Sequence, residues 1–193
     1  SSSSAASDVY KRQSMLGTFI PKDGKLLVLA NGAYGLRAAQ TMDYLNRDYH
    51  LLDKGDYLPP RGSEVADILE NDKAISHVLV IHCETSSGIL NTLEEIGAVV
   101  KSAGRKLLID SMSAFGAVPV DPEKIDFEAM VSSANKCIEG VPGFGFVFAK
   151  LSAGLCKCCC WGPEAALWWF RAGGSQSCLP KRSYVNGRVQ HTV

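Results

Sequence analysis

The sequence predicts an α/β protein with a mainly parallel β-sheet and helices on both of its faces. Two observations carry this expectation. Short stretches at residues 26–30, 77–81 and 106–109, apolar apart from His77 and Lys106 at the starts of the last two, read as strands buried on both sides. Between them lie segments whose apolar residues recur at helical spacing, and strands alternating with helices of this length imply βαβ units with right-handed crossovers.

In chain order, residues 1–14 are a serine run and a short aperiodic stretch, set aside as a non-native or disordered head. The body spans residues 15–151. Leu26-Leu27-Val28-Leu29-Ala30, bounded by Gly24 and by Asn31-Gly32, is the first predicted strand. Ala38, Met42 and Leu45 recur at i, i+4 and i+7, the inward stripe of a helix. A weak strand is expected at residues 50–52, before the Pro59-Pro60 break. Ser63 is the expected cap of a helix carrying Val65, Ile68 and Leu69. After the strand at residues 77–81, Asn91 followed by Glu94 resembles a capping box. Leu93, Ile96 and Val100 supply the buried face of that helix, and Gly104 ends it. The strand at residues 106–109 stops at Asp110, and Asp121-Pro122 opens a turn. Further strands are expected at residues 130–133 and 144–149, the latter alternating glycine with bulky apolar residues in close backbone packing.

Residues 152–193 depart from this pattern and are expected to be off-frame or disordered. Cys156-Lys157-Cys158-Cys159-Cys160-Trp161 has no strand or helix periodicity, and adjacent cysteines do not suit one tetrahedral metal centre, so no metal is expected. Only Cys83 and Cys137 of the seven cysteines fall in the body, which argues against a secreted disulfide framework. Lys plus Arg equals Asp plus Glu at 20 each, so charge calls for neither nucleic acid nor a membrane surface as partner. No apolar run is long enough to span a bilayer. The expected location is cytoplasmic.

Ligands of parallel α/β sheets gather at the carboxyl ends of strands. Four predicted strand ends carry reactive or polar residue types: Asn31-Gly32-Ala33-Tyr34-Gly35, His82-Cys83-Glu84-Thr85-Ser86-Ser87-Gly88, Asp110-Ser111-Met112-Ser113 and Asn135-Lys136-Cys137-Ile138-Glu139-Gly140. No Gly-x-Gly-x-x-Gly or Walker-type loop occurs at any of them. A lysine amine, an acid, an aromatic face and a hydroxyl loop form the set that pyridoxal phosphate requires. The amine forms a Schiff base, the acid keeps a proton on the pyridine nitrogen, the aromatic face fixes the ring plane and the hydroxyls hold the phenolate oxygen. A lysine on a short turn beside a strand end is expected to be desolvated, which frees its neutral amine.

These four segments, in this order and over residues 15–151, resemble the 2-aminoethylphosphonate–pyruvate transaminases of the class-V, fold-type-I aminotransferases. The segment from Ser133 through Asn135-Lys136-Cys137-Ile138-Glu139-Gly140 to Gly143 discriminates best. The resemblance implies that Lys136 carries the Schiff base and shuttles the substrate proton, and that Asp110 pairs with the pyridinium. It implies that Tyr34 stacks on the ring, that Thr85 or Ser86 contacts the phenolate oxygen, and that Asn135 donates to the phosphate, with Ser133 a weaker candidate. His82 and Glu84 are read as supports of their loop, and Cys83 and Cys137 as packing residues.

The implied reaction takes the amino group from 2-aminoethylphosphonate to pyruvate, giving phosphonoacetaldehyde and alanine. The implied frame is part of the family's large domain, which works as a homodimer. Two features of the family find no counterpart: the Ser/Gly/Thr phosphate cup ahead of residue 31, and a substrate-binding arginine downstream, since nothing aligns Arg171 or Arg182 with it. The chain is therefore expected to be an internal fragment that binds cofactor weakly. The competing expectations are an alanine– or serine–glyoxylate aminotransferase, a cysteine desulfurase (disfavoured because Asn135, not His, precedes Lys136), and a truncated chain without activity.

Overall fold

Residues along a buried strand face alternate sides, so a doubly covered sheet needs apolar residues at every position and two separate sets of helices. The computed structural model describes residues 12–142 and 144–150, together with four short strand segments farther along. Helix α1 covers residues 12–19. It is followed by β1 (Lys25–Ala30), α2 (Ala33–Tyr44), β2 (Tyr49–Asp53), α3 (Gly62–Asn71) and β3 (Ile75–Ile81). A small ribbon, β4 (Cys83–Glu84) and β5 (Ile89–Leu90), precedes α4 (Leu93–Ser102), β6 (Lys106–Asp110), β7 (Ala129–Ser133) and β8 (Phe144–Lys150). In the main sheet β2, β1, β3, β6 and β7 lie side by side and parallel, and β8 joins β7 antiparallel.

Helix α1 crosses residue 14, where the sequence reading placed the edge of the head. Within the stretch expected not to fold, β9 (Ala165–Arg171) pairs antiparallel with β8 and β10 (Gln176–Cys178) with β9, while β11 (Arg182–Val185) and β12 (Arg188–His191) form a separate hairpin. Cys156 to Cys160 lie outside the described residues.

The two faces of the sheet have separate cores. Leu26, Val28, Leu79, Leu108 and Val131 pack with Met15 and Leu16 of α1 and with Ala38 and Met42 of α2. Leu27, Leu29, Val78, Val80, Leu107 and Ile109 pack with Val65 and Leu69 of α3 and with Ile96 and Val100 of α4. Consecutive residues of β1 thus serve opposite cores, which is why no polar residue interrupts it.

Helix ends are satisfied by recurring devices. After α4, the Gly104 N–H donates to Lys101 O at 2.9 Å and the Arg105 N–H to Val100 O at 3.0 Å, with Gly104 at φ +67°. This is a Schellman closure, and it needs the left-handed backbone that glycine supplies. Asn46, at φ 51°, ends α2 in the same way. The next residue, Arg47, turns its guanidinium onto the carbonyls of Leu16, Gly17 and Ile20 at the end of α1.

Two sequence-predicted caps are corrected. Ser63 lies inside α3, whose first turn is closed instead by the Arg61 N–H donating to Glu64 at 3.0 Å. Asn91 is not the cap of α4; Thr92 holds that position, with its hydroxyl donating to Glu95 at 3.2 Å.

At the amino-terminal edge of the sheet, Glu128 accepts from Lys106 Nζ at 2.6 Å and lies 3.0 Å from His77 Nε2. Burial raises the Glu128 carboxyl, but its hydrogen bonds with His77 and Lys106 outweigh this and hold it below the usual range. Among the described residues, no helix is long and apolar enough to cross a membrane.

Leu79 is fully buried in the middle of the sheet. Leu79→Ala should cost about 2–5 kcal/mol of stability, read from the urea midpoint at unchanged m-value. A loss well below that range would show that the centre of the sheet is not close-packed.

Candidate active site

The carboxyl ends of β1, β3, β6 and β7 are brought side by side by parallel pairing, and the four chemistry-bearing segments follow them. At the end of β1, Gly32 caps α2 without a side chain of its own, at φ 157° and ψ −170°. A Cβ there would lie 2.4 Å from Ser86 Oγ and 2.5 Å from Glu84 Cγ, so only glycine admits the neighbouring loop.

That loop supplies the missing cap. Glu84, fully buried, accepts from the Tyr34 N–H at 3.1 Å and the Gly35 N–H at 3.0 Å, and Ser86 Oγ donates to it at 2.6 Å. Ser86 Oγ in turn accepts from the Ala33 N–H at 2.8 Å. A carboxylate at a helix N-terminus meets both unpaired N–H donors and the positive end of the helix dipole.

A second cross-link lies deeper. The side-chain amides of Asn31 and Asn91 pair reciprocally at 2.9 and 3.2 Å, and Asn91 Nδ2 also donates to Ile81 O at 2.7 Å. Asn91 is thus buried glue between β1 and β3, which is why it does not cap α4.

His82 is buried, with Nδ1 2.9 Å from Ser111 Oγ, and its N–H donates to the Asp110 carbonyl at 2.8 Å. Burial pushes the His82 imidazole below its ordinary value of 6.5.

Asp110 ends β6 with its carboxylate 1% exposed. One oxygen accepts from the Met112 N–H at 3.1 Å, and the other is paired with Arg12 Nε of α1. Arg12, itself buried, also lies over the Tyr34 ring, its guanidinium carbon 5.6 Å from the centroid; Arg37 approaches the same ring to 5.2 Å. Asp110 and Tyr34, expected to act together, do meet, through one planar cation held by both.

Lys136 stands on a turn beyond β7, closed by the Glu139 N–H to Lys136 O at 2.8 Å and the Gly140 N–H to Ala134 O at 2.7 Å. The lysine is exposed rather than desolvated, because this turn projects past the end of the sheet. Asn135 is half-buried and accepts from Ser133 Oγ. Thr85 is exposed beside Ser86. Among the described residues no group of three or more His, Cys, Asp or Glu side chains could hold a metal ion.

Three contributors escaped the sequence reading. Glu84, expected to support its own loop, also caps α2, because the glycine at the N-cap leaves first-turn N–H groups that a side chain from another segment can meet. Asn91 was assigned to a helix start. Arg12 lies in the head that was set aside, and no sequence pattern marks it.

Residues 21–154 match the family model for aminotransferase class-V. The chain belongs to the class-V aminotransferases. Over 143 residues, 74% of its length, it is 66% identical to the 2-aminoethylphosphonate–pyruvate transaminase of Rhizobium meliloti (strain 1021), of which it covers 37%. It is 64% identical to 2-aminoethylphosphonate–pyruvate transaminase 1 of Paraburkholderia xenovorans (strain LB400), covering 75% of this chain and 37% of that one. Among solved structures, pyridoxamine-pyruvate aminotransferase from Mesorhizobium loti superposes with a TM-score of 0.65 at 29% identity, over 76% of this chain and 37% of that one. The class-V chain described here thus spans little more than a third of the length of the relatives it matches, and the fold-type-I sheet expected from its sequence is the one it has.

The depressed His82 group has a consequence for stability. Near pH 6.5 the unfolded chain takes up a proton that folded His82 does not accept until lower pH. The unfolded state then binds more protons, so stability should be lost as pH falls below 6.5. Urea midpoints should drop between about pH 7 and about pH 5.5, and His82→Asn should flatten that dependence. An equal slope in the variant would assign the effect to other groups.

Proposed function

We propose that the protein to which this chain belongs is a pyridoxal-phosphate-dependent transaminase that moves the amino group of 2-aminoethylphosphonate to pyruvate, giving phosphonoacetaldehyde and alanine. The observation that carries the proposal is the joint grip of buried Asp110 and the Tyr34 face on one flat cation, at the strand ends that also bear Lys136. Supporting it are the names of the relatives at 66% and 64% identity.

The donor set fits the cofactor. A carboxylate so buried demands a cationic partner, and an aromatic face beside it favours a planar one, as a protonated pyridine ring is. When bound, pyridoxal phosphate supplies an electron-accepting ring and a carbonyl carbon that carries the amino group between donor and acceptor.

In this reading the protein's side chains bind, orient and move protons. Asp110 accepts the ring N–H and keeps that proton in place, its other contact, to the Met112 N–H, holding the carboxylate still. Tyr34 fixes the ring plane. Lys136 Nζ would be the amine that holds the cofactor's carbonyl carbon and the base that carries the proton taken from the carbon bearing the substrate's nitrogen. Ser86 spends its hydroxyl proton on Glu84, which leaves Thr85 as the hydroxyl for the phenolate oxygen. Asn135, fixed by Ser133, serves the phosphate. The exposed apolar side chains Leu90, Ile138 and Val141 near this edge suit a second subunit, in keeping with a homodimer.

Borohydride reduction of the full-length gene product after mixing with pyridoxal phosphate, followed by peptide mapping, should put the label on Lys136, and Lys136→Ala should abolish it. Label spread over surface lysines would sink the proposal. With the full-length gene product, 2-aminoethylphosphonate should outperform serine as donor to pyruvate, and the reverse would favour a glyoxylate-type enzyme. Since Arg12 already pairs with Asp110, the cofactor ring must displace it. Arg12→Ala should therefore lower the cofactor's dissociation constant; an unchanged value would mean that Arg12 and the ring do not compete.

A further inference from the structure

We infer that Glu84 is a positioning residue for the cofactor ring, acting through Tyr34, an inference that rests on the function proposed above. Glu84 reaches no ring position itself. Its carboxylate is fully buried and accepts from two segments: the N–H groups of Tyr34 and Gly35 in the first turn of α2, and the N–H and hydroxyl of Ser86.

The arrangement is a helix cap supplied in trans. Gly32 at the N-cap has no side chain to satisfy the first-turn donors, and those of Tyr34 and Gly35 would otherwise be left to water in the wall of the site. Glu84 takes both, and Ser86 takes the remaining N–H of Ala33 while donating back to Glu84. The loop carrying Glu84 is itself tied down. The Gly88 N–H donates to Glu84 O at 2.8 Å, and β4 pairs with β5. The close approach is obligatory, because a Cβ on Gly32 would meet Glu84 and Ser86 inside 2.6 Å. On the other side of the turn, a Cβ on Gly35 would fall 2.6 Å from Ala30 Cα, so glycine is what lets α2 start this close to the end of β1.

The consequence is one rigid unit. The backbone of Tyr34, whose ring face is expected to set the cofactor plane, is bolted by this carboxylate to the loop after β3. Replacing Glu84 would leave the Tyr34 ring present but free to tilt, so ring orientation suffers and not only affinity.

The test uses the full-length gene product with Glu84→Gln and Glu84→Ala, alongside Tyr34→Ala and the Glu84→Ala/Tyr34→Ala pair. Without cofactor, amide hydrogen exchange should accelerate by about tenfold or more at Tyr34 and Gly35 in Glu84→Ala, while amides of β3 keep their protection. Glu84→Gln keeps the shape and guards against a folding defect; it should give a smaller acceleration. With pyridoxal phosphate, the visible circular dichroism of the bound cofactor should weaken and its dissociation constant rise by about tenfold. The double variant should bind no more weakly than Tyr34→Ala alone, since both act on one element.

Unchanged exchange at Tyr34 and Gly35 in Glu84→Ala would overturn the inference. So would a double variant whose losses add, because Glu84 would then act by a route other than Tyr34. A full-length wild-type protein with slow Tyr34 and Gly35 amides but no label at Lys136 would overturn the proposed function. It would remove the ring as the thing Glu84 positions, while upholding the trans cap itself.

Discussion

Parallel pairing in register is the constraint on which the rest of this structure depends. Leu79 of β3 stands opposite Val28 of β1 on one side and Leu108 of β6 on the other, so all three strands run the same way and end near the same level. Parallel strands need crossovers, and those that join β1, β2, β3 and β6 in turn carry helices α2, α3 and α4, which lie on both faces. Once the faces are covered, the only places where the chain can present polar groups to a ligand are the strand ends. The carboxyl ends carry Asn31, His82, Asp110 and, just past β7, the turn of Lys136.

Such an edge is costly unless its polar groups find partners, because the strand ends sit at the rim of two apolar cores. The chain meets this cost with paired side chains. Asn31 and Asn91 exchange amide hydrogen bonds, His82 meets Ser111, and Asp110 meets Arg12. Glu84 meets the first turn of α2. Each pair links two segments that are distant in the chain, so the interactions that satisfy buried polar groups also fix the segments against one another. The geometry of the site is in this sense a by-product of polar satisfaction. A gap in one pair would loosen the site before it loosened the sheet, whose stability comes from Leu, Val and Ile packing on either side.

The strands were legible because their signal is local. The run Leu26 to Ala30 can hardly be anything but a buried strand, and Ala38 with Met42 marks the inner face of the helix after it. Gly104 announced the end of α4 because only a left-handed residue closes that turn. Caps were less legible. Ser63 and Asn91 have the right residue types for helix starts, yet Arg61 and Thr92 hold those positions. Several nearby residues can begin a helix, and packing against the sheet selects the frame. The exposure of Lys136 was not legible either, since it depends on how far the turn after β7 projects beyond the sheet.

The sequence alone was enough to determine the kind of fold, the order of its elements and the set of residues placed at strand ends, because periodicity and turn chemistry act over a few neighbouring positions. Tertiary structure decided which of those residues hold one another. Glu84 finds Tyr34 across 50 positions, Asn31 finds Asn91 across 60, and Arg12 finds Asp110 across 98. No local pattern encodes such choices. A buried carboxylate or amide accepts any donor of suitable geometry, and only the assembled sheet determines which donor arrives within 3 Å.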